Sequence, residues 1–309
     1  MNNTTCTGGH TPATVSFEVM PPRNPDAAPK FWGTVDRLIA SGPDFVSVTY
    51  GAAGGDRSSA RAVVHRLVRN APVQPIAHLT CVGTTPDQAA AIISDYLDDG
   101  VRTFLALRGD PPRDNPDWKP CQGEVSSATQ LISLIRAVET RRCMEHPGAA
   151  LRAAFKPLTI AVAAFASGNA QSGTTQDQEV ERLLVKQAAG ASFAITQLLW
   201  DPEDYLSFVE QARSSGVTIP IVPGILPPTD PDRVRRTRNI TGSDAPEWII
   251  RELEKAGTPE EAHVVGTRIG ADIAHGVMAG GAPGLHVYTF NKSEPAIDLV
   301  SAVGLLDPR

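Results

Sequence analysis

Short segments rich in apolar and β-branched residues recur along the chain, and each is followed by a stretch with helical periodicity. Most are continuously apolar, which is typical of strands that are covered on both faces, as in a parallel sheet. The pattern predicts eight strands, over residues 14–19, 44–49, 75–81, 102–107, 158–165, 192–198, 219–224 and 285–290. Eight strand–helix alternations in about 300 residues predict an α/β fold, a single (β/α)8 TIM barrel.

Two of the intervening helices begin with clear signals. Thr85 is placed to cap a helix whose first turn contains Pro86 and, three residues after the cap, Gln88. Asp201 and Pro202 repeat this arrangement after the sixth predicted strand. Both helices therefore follow their strands directly, as the barrel requires.

The rival architecture is a doubly wound open sheet, which would need a glycine-rich phosphate turn after an early strand. No GxGxxG motif follows any predicted strand, which favours the barrel.

We expect a flexible amino-terminal tail over residues 1–13 and one barrel domain over residues 14–309. Two insertions interrupt the repeat: a proline-rich segment over 109–124, a candidate lid, and extra helices within 225–284.

The composition limits the kinds of molecule that this protein is expected to bind. The formal charge of -6 argues against nucleic acid or an anionic membrane as the main partner, so small molecules are expected. No apolar run reaches the about 18 residues of a membrane span, and we expect no signal peptide. The four cysteines lack CxxC spacing. We expect a cytoplasmic protein and leave homo-oligomerisation open.

Polar residues gather at the carboxyl ends of the predicted strands, where barrels of this class place their active sites. In chain order they are Glu18, Thr49, Tyr50, His78, Arg108, Gly109, Asp110, Phe165, Gln197 and Tyr288, with Phe165 as an apolar member. A buried, unpaired carboxylate is costly, so Glu18 is either catalytic or paired to a cation. Each of the others also has a structural interpretation: His78 as a core histidine, Asp110 as a turn cap, Gln197 as a loop tether.

Other barrel chemistries lack their residues. None of the predicted strands carries the lysine that a Schiff-base aldolase needs. The seven histidines show neither HxH nor HExxH spacing, so no metal site is expected. A GxSxG nucleophile elbow is also missing.

Seven sequence blocks resemble the methylenetetrahydrofolate reductase family, in family order and with similar spacing from about residue 14 to 298. They are Val15-Ser16-Phe17-Glu18, Val46-Ser47-Val48-Thr49-Tyr50, His78-Leu79-Thr80-Cys81, Leu107-Arg108-Gly109-Asp110, Ile195-Thr196-Gln197, Pro223-Gly224-Ile225-Leu226-Pro227 and Tyr288-Thr289-Phe290-Asn291. The resemblance implies reduction of an iminium carbon on a reduced folate to a methyl group, with NADH as the expected hydride donor.

The resemblance also implies roles. Glu18 would be the general acid that protonates the departing folate nitrogen, with a pKa raised by burial. Asp110 would hydrogen-bond the pterin, and Gln197 would contact folate and nicotinamide in turn. Positions that line the flavin pocket of the family correspond to Thr49, Tyr50, His78, Arg108, Gly109 and Phe165. Tyr288 and Lys292 stand near the folate or the dinucleotide, Lys292 where an arginine is usual.

The departures from the family concern FAD. A family run of Tyr-Pro-Glu-x-His-Pro-Glu after the fifth strand is replaced by Phe165-Ala166-Ser167-Gly168-Asn169-Ala170-Gln171. Val185 replaces an arginine near the FAD diphosphate, and only the neighbouring Lys186 remains. Since guanidinium groups hold diphosphates best, we expect weak FAD binding or none. NADH would then occupy the flavin space, with Arg108 and Lys186 at its diphosphate.

Three alternatives stay open at the level of sequence. The first is a conventional FAD-dependent reductase of this family. The second is a flavin-dependent dehydrogenase of the proline-oxidising type, and the third is a non-catalytic barrel that binds folate or a nucleotide. Glu18 and Asp110 argue against the third, because a barrel without catalysis gains nothing from costly carboxylates.

Overall fold

The computed structural model describes residues 13–50, 57–109, 119, 121 and 123–306. Eight parallel strands pair in chain order, and the last returns to the first, so the sheet is a closed barrel. The strands are β1 (Thr14–Val19), β2 (Phe45–Val48), β3 (Gln74–Thr80), β4 (Thr103–Leu107), β5 (Thr159–Ala164), β6 (Phe193–Leu198), β7 (Ile221–Ile225) and β8 (Gly284–Tyr288). The predicted (β/α)8 fold is confirmed, with every predicted strand in its place.

Helices surround the barrel. They are α1 (Ala28–Ala40), α2 (Arg57–Asn70), α3 (Pro86–Asp98), α4 (Ala128–Glu145), α5 (Pro147–Phe155), α6 (Gln176–Ala188), α7 (Pro202–Ser214), α8 (Pro231–Arg236), α9 (Arg238–Thr241), α10 (Glu247–Lys255), α11 (Pro259–Ala279) and α12 (Ser293–Ala302). The extra helices expected between the seventh and eighth strands are therefore present as α8 to α11. Among the described residues, no helix has the length and apolar character needed to cross a membrane.

The predicted helix starts are confirmed. Thr85 caps α3 by accepting a hydrogen bond from the Gln88 backbone, and the Gln88 side chain accepts one from the Thr85 backbone in return. Asp201 caps α7 by accepting from the Glu203 backbone. These caps begin each helix immediately after the carboxyl end of a strand, so they help to fix the mouth of the barrel.

Side chains alternate between the two faces of each strand, which gives the barrel an outer and an inner layer. The outer layer, including Phe17, Val48 and Leu79, packs against the helices. Inside, a separate apolar cluster is formed by Ile76, Leu105, Ala161 and Ile195, with Phe45, Leu107 and Phe193 packed against it. Polar residues share the inner face on β8, β1, β2 and β3: Ser16, Glu18, Ser47, His78, His286 and Tyr288. The interior thus contains an apolar cluster and a polar group, and β2 and β3 contribute side chains to both.

Two parts of the prediction lie outside the described residues. They are residues 1–12 of the expected tail and most of the proline-rich segment, 110–118 with 120 and 122. The expected lid therefore stays a prediction.

Candidate active site

Glu18 lies at the carboxyl end of β1, on the inner face of the barrel. One of its oxygens, Oε2, is 3.7 Å from Nε2 of His78 and 3.7 Å from Nε2 of His286. The two imidazoles are nearly inaccessible, whereas the Glu18 side chain keeps 18% of its surface exposed. The carboxylate is therefore held between two buried rings with one side open.

Each imidazole is tethered by a serine of a neighbouring strand. Nε2 of His78 is 2.6 Å from the Ser47 hydroxyl, and Nδ1 of His286 is 2.8 Å from the Ser16 hydroxyl. Both serines are buried. The serines fix the ring orientations, so Glu18 faces two imidazoles that have little freedom to turn.

The pKa of Glu18 differs from the expectation. Burial alone would raise it, but the side-chain interaction with His286 and the electrostatic influence of the two nearby imidazoles outweigh burial, and the pKa falls below its ordinary value. The prediction of a raised pKa is therefore wrong for this structure. Burial lowers the pKa of His78 to about 4, so this ring is neutral at neutral pH. Glu18 is accordingly an ionised carboxylate that needs a proton source before it can act as an acid.

Tyr288 closes one side of the polar interior. Its hydroxyl donates a hydrogen bond of 2.8 Å to the Thr196 carbonyl, and its ring packs edge-on against His286 at 5.1 Å between centroids. Gly224 leaves the space for this contact, because a Cβ there would lie 2.4 Å from the Thr196 carbonyl oxygen and 2.6 Å from Cε2 of Tyr288. Burial and the nearby Glu18 raise the pKa of Tyr288, so its hydroxyl stays protonated.

Hydrogen bonds join the backbone at the carboxyl end of β1 to the turn that follows β8. The Thr289 hydroxyl donates to the Glu18 carbonyl at 2.6 Å. Asn291 accepts from the Met20 backbone at 2.9 Å and donates to the Met20 carbonyl at 2.7 Å. Phe290 and Asn291 adopt positive φ angles of 46° and 58°, which make this turn possible. The backbone that carries Glu18 is therefore rigid on both sides.

Gln197 lies at the carboxyl end of β6, where the pairing with β7 shifts register between Ile195 and Leu198. Its side-chain carbonyl accepts a hydrogen bond of 2.9 Å from the Leu198 backbone. An irregularity of this kind re-aims side chains and is frequent beside active sites. The role of Gln197 toward folate and nicotinamide stays a prediction.

The remaining predicted positions on the second to fifth strands lie at the same end of the barrel. Thr49 and Tyr50 are buried after β2, and Phe165 is partly buried after β5. Arg108 is exposed after β4, with Nε donating to the Gly109 carbonyl. Gly109 has a φ of 87° and no room for a side chain, since a Cβ would lie 2.8 Å from Val82. Asp110 lies outside the described residues, so its place beside Glu18 is untested.

Two predicted residues stand apart from this group. The Lys186 ammonium donates to the Ala163 carbonyl at 2.8 Å, and burial lowers the pKa of Lys186 to about 8. That contact does not favour a role at a diphosphate. Lys292 is exposed at the start of α12 and lines a cleft of about 1020 Å³ between α1, α8, α11 and α12. Neither Glu18 nor the two histidines line this cleft.

Sequence reasoning missed His286, Ser16 and Ser47. The signal was available, because each lies two residues before a predicted mouth residue, Tyr288, Glu18 or Thr49, and residues two apart share a strand face. No group of three or more histidine, cysteine or acidic side chains in the described part of the chain is arranged to hold a metal ion.

Comparison with known proteins identifies the family of the chain. The family model of methylenetetrahydrofolate reductase matches residues 7–304. The 5,10-methylenetetrahydrofolate reductase of Escherichia coli (strain K12) is 30% identical over 94% of this chain and 90% of its own length. The maize protein named methylenetetrahydrofolate reductase (NADH) 1 is 29% identical over 94% of this chain, which spans 48% of the maize protein.

A solved structure shares the fold. A Clostridium thermocellum protein, described as binding two copies of 5-methyl-5,6,7,8-tetrahydrofolic acid, superimposes with a TM-score of 0.62 over 96% of both chains at 12% identity. At that identity the likeness concerns the barrel alone. The family model, in contrast, matches the chain from the first strand to the last helix. The chain therefore belongs to the methylenetetrahydrofolate reductase family.

Proposed function

We propose that this protein reduces 5,10-methylenetetrahydrofolate to 5-methyltetrahydrofolate, with NADH as hydride donor and without a tightly bound flavin. The observation that carries the proposal is the Glu18 carboxylate, held between two buried imidazoles at the carboxyl end of a barrel whose relatives are named for this reaction. The name of the maize relative supports NADH as the donor.

The reaction needs an acid. The methylene carbon of the substrate bridges two nitrogens, and the product carries its methyl group on N5, so the bond to N10 breaks. Its electron pair goes to N10, which takes up a proton, and the carbon is left as an N5 iminium that accepts hydride. Glu18, open on one side and fixed on the others, is the group that we assign to donate this proton.

The positions expected to hold an FAD diphosphate do not fit that group. Val185 is 55% exposed and apolar, and the Lys186 ammonium already donates to the Ala163 carbonyl. The loop after β5 is tied to the helices around it instead, through Ser167 to Asp204 at 2.7 Å and Gln171 to the Ile240 carbonyl at 2.9 Å. A diphosphate placed here would meet no guanidinium fork at these positions.

Direct hydride transfer then requires NADH and folate to be bound together, with the reacting carbons about 3–3.5 Å apart. Arg108 is the exposed cation that we assign to the dinucleotide diphosphate, since its guanidinium reaches solvent at the end of β4. Asp110, Gln197, Tyr288 and Lys292 are proposed to hold the folate, as the family resemblance implies.

An anaerobic assay of methylenetetrahydrofolate with NADH, with and without added FAD, tests the proposal. We expect turnover without FAD, and no visible flavin absorbance in the purified protein. Glu18→Gln should lower kcat by about 10²- to 10⁴-fold with folate affinity nearly unchanged, because the amide keeps the shape but has no acidic proton. Glu139→Gln is the matched control, since Glu139 is a partly buried carboxylate that pairs with Arg102 outside this site.

The outcomes separate the two parts of the proposal. Turnover that depends strictly on added FAD would overturn direct transfer and leave the reductase activity standing. Loss of turnover under both conditions would overturn the reductase activity itself. An unchanged rate in Glu18→Gln would remove Glu18 from the acid role.

A further inference from the structure

A cleft of about 1020 Å³ lies next to the candidate active site, between α1, α8, α11 and α12. Helices α8 and α12 contribute their first turns to it, and each follows a barrel strand, so the cleft lies at the same end of the barrel as Glu18. Asn291 lines the cleft, and its side chain bonds to the backbone of Met20, two residues after Glu18. The turn that follows β8 therefore borders both the cleft and the strand end that carries Glu18.

Three cations of this cleft have no acidic partner. Lys30 and Arg37 line it from α1, and Lys292 lines it at the start of α12. None of the three forms an ion pair with an acid in the part of the chain that the structure describes, and all three residues are exposed. Their charges are therefore available to a negatively charged ligand.

Most acids of the cleft already have a partner. Four of the five interact with a basic side chain, in the pairs Asp232–Arg235, Glu254–Arg235, Asp298–His263 and Asp230–Arg233. Glu294, in the first turn of α12, is the fifth, and it forms no ion pair with a described residue. The groups without a partner are thus three cations and one acid, which makes the cleft attractive to an anion.

Arg37 is held in place by one edge of its guanidinium group. Its Nε donates a hydrogen bond of 2.8 Å to the hydroxyl of Ser293, a buried residue at the start of α12. Its terminal nitrogens make one long contact, of 3.5 Å, to the Thr34 hydroxyl. Most of the terminal N–H groups are therefore left for a ligand, and a fixed guanidinium group is well suited to bind a carboxylate.

The start of α12 adds to the positive potential. Lys292 occupies the cap position, and no side chain caps this end of the helix. Arg37 reaches the same turn through Ser293. Cations beside the positive end of a helix dipole are unfavourable, so an anion bound between them would relieve the repulsion.

We propose that this cleft binds the carboxylates of a glutamate tail on the reduced folate. The inference rests on the proposed function for the identity of the substrate. A folate ends in a glutamate, and each further glutamate joined through its side-chain carboxyl group adds one free carboxylate. With the pterin beside Glu18, the tail crosses the turn at Asn291 and places its carboxylates near Lys292, Arg37 and Lys30.

The spacing of the cations favours a chain over a compact anion. Lys30 and Arg37 are seven residues apart on α1, which puts them on one face of the helix and about 10 Å apart along its axis. Lys292 belongs to a different helix. A single phosphate or carboxylate would contact one or two of these groups, whereas a tail with repeated carboxylates can contact all three.

Equilibrium binding of 5-methyltetrahydrofolate with one and with five glutamates tests the inference without turnover. We expect the five-glutamate form to bind about tenfold more tightly, because several exposed ion pairs of modest strength add together. The advantage should fall to about twofold at high salt, because dissolved ions screen exposed charges. Equal affinities at low salt would overturn the inference.

Substitutions on α1 locate the binding. Arg37→Gln combined with Lys30→Gln should remove most of the advantage and change the affinity for the one-glutamate form by less than about twofold. Arg37→Lys keeps the charge and should keep most of the advantage, which a purely structural role against α12 would not do. An advantage that survives the double substitution, or that is lost in Arg37→Lys, would overturn the inference.

Arg69→Gln is the matched control, since Arg69 is an exposed arginine at the end of α2, outside the cleft. It should keep the full advantage, and an equal loss there would show attraction by overall charge and overturn the inference. Circular dichroism verifies that all variants are folded.

A chain of five glutamates linked through their side chains, without the pterin, separates this inference from the proposed function. We expect weak binding to the unmodified protein by NMR titration, and at least about tenfold weaker binding to the double variant. That result in a protein without reductase activity would fault the proposed function and support the cleft. Turnover without any difference in KM between the two folates would overturn the inference and leave the proposed function standing.

Discussion

His78 is a buried imidazole without a proton at neutral pH, and it links the site to the stability of the protein. Only 5% of its side chain is exposed, and burial lowers its pKa to about 4 from an ordinary value of 6.5. In the unfolded chain the same ring regains the ordinary value. Protons therefore bind more strongly to the unfolded chain than to the folded protein between these two values.

This difference predicts acid sensitivity. As pH falls from about 6.5 to about 4, the free energy of unfolding should decrease by about 3 kcal/mol through His78 alone. Glu18, whose pKa is also lowered on folding, adds to the loss below its ordinary value of 4.5. Urea unfolding at several pH values measures the effect. His78→Asn should flatten the curve between pH 6.5 and 4, and a curve of unchanged steepness would contradict this account.

At the scale of single residues, some features of the site could be predicted from the sequence and others could not. The cost of burying Glu18 was sufficient to mark it as functional or paired. The direction of its pKa shift was not predictable, because it depends on imidazoles from β3 and β8 that only barrel closure brings to the same oxygen. Asp110 was predicted from its place after β4 and stays a prediction.

At the scale of elements, β6, β7 and β8 meet at one glycine. Gly224 lies against the Thr196 carbonyl on one side and the Tyr288 ring on the other, so the three strands approach more closely than a side chain would allow. The Tyr288 hydroxyl bonds to that same carbonyl. Gly224 therefore positions the tyrosine beside His286.

Gly224→Ala should disturb this contact. The added methyl group would displace Tyr288 or the β6 backbone, and we expect a loss of about 1–3 kcal/mol in the free energy of unfolding together with a higher KM for folate. Gly33→Ala on α1 is the matched control, because a Cβ there meets only Arg37 at 3.9 Å. Unfolding curves and steady-state kinetics provide the test, and a stable variant with an unchanged KM would contradict it.

Regular elements were predictable because their signals are local. The capping box at Thr85 and the Asp201 cap each involve residues only a few positions apart. The eight strands could be predicted because each is a short apolar segment of the sequence. The register shift at Gln197 and the hydrogen bonds between Asn291 and the Met20 backbone were not predictable. Both depend on contacts between strands that are far apart in sequence.

At the scale of the whole molecule, barrel closure divides the interior. An apolar cluster around Ile76, Leu105 and Ile195 fills one part of the interior, and other inner-face residues of β8, β1, β2 and β3 form the polar group around Glu18. Because β8 pairs with β1, residues from the two ends of the chain share one site. The fold thereby places Glu18 and its two imidazoles together at the end of the barrel where we propose that folate and NADH bind.

The most direct test of the account follows a deuterium atom. NADH labelled at the transferred position is mixed anaerobically with methylenetetrahydrofolate and the purified protein, and the 5-methyltetrahydrofolate is analysed by mass spectrometry. Direct transfer predicts one deuterium in the methyl group of nearly every product molecule. Loss of the deuterium to solvent, as passage through an exchangeable flavin nitrogen would give, would contradict it.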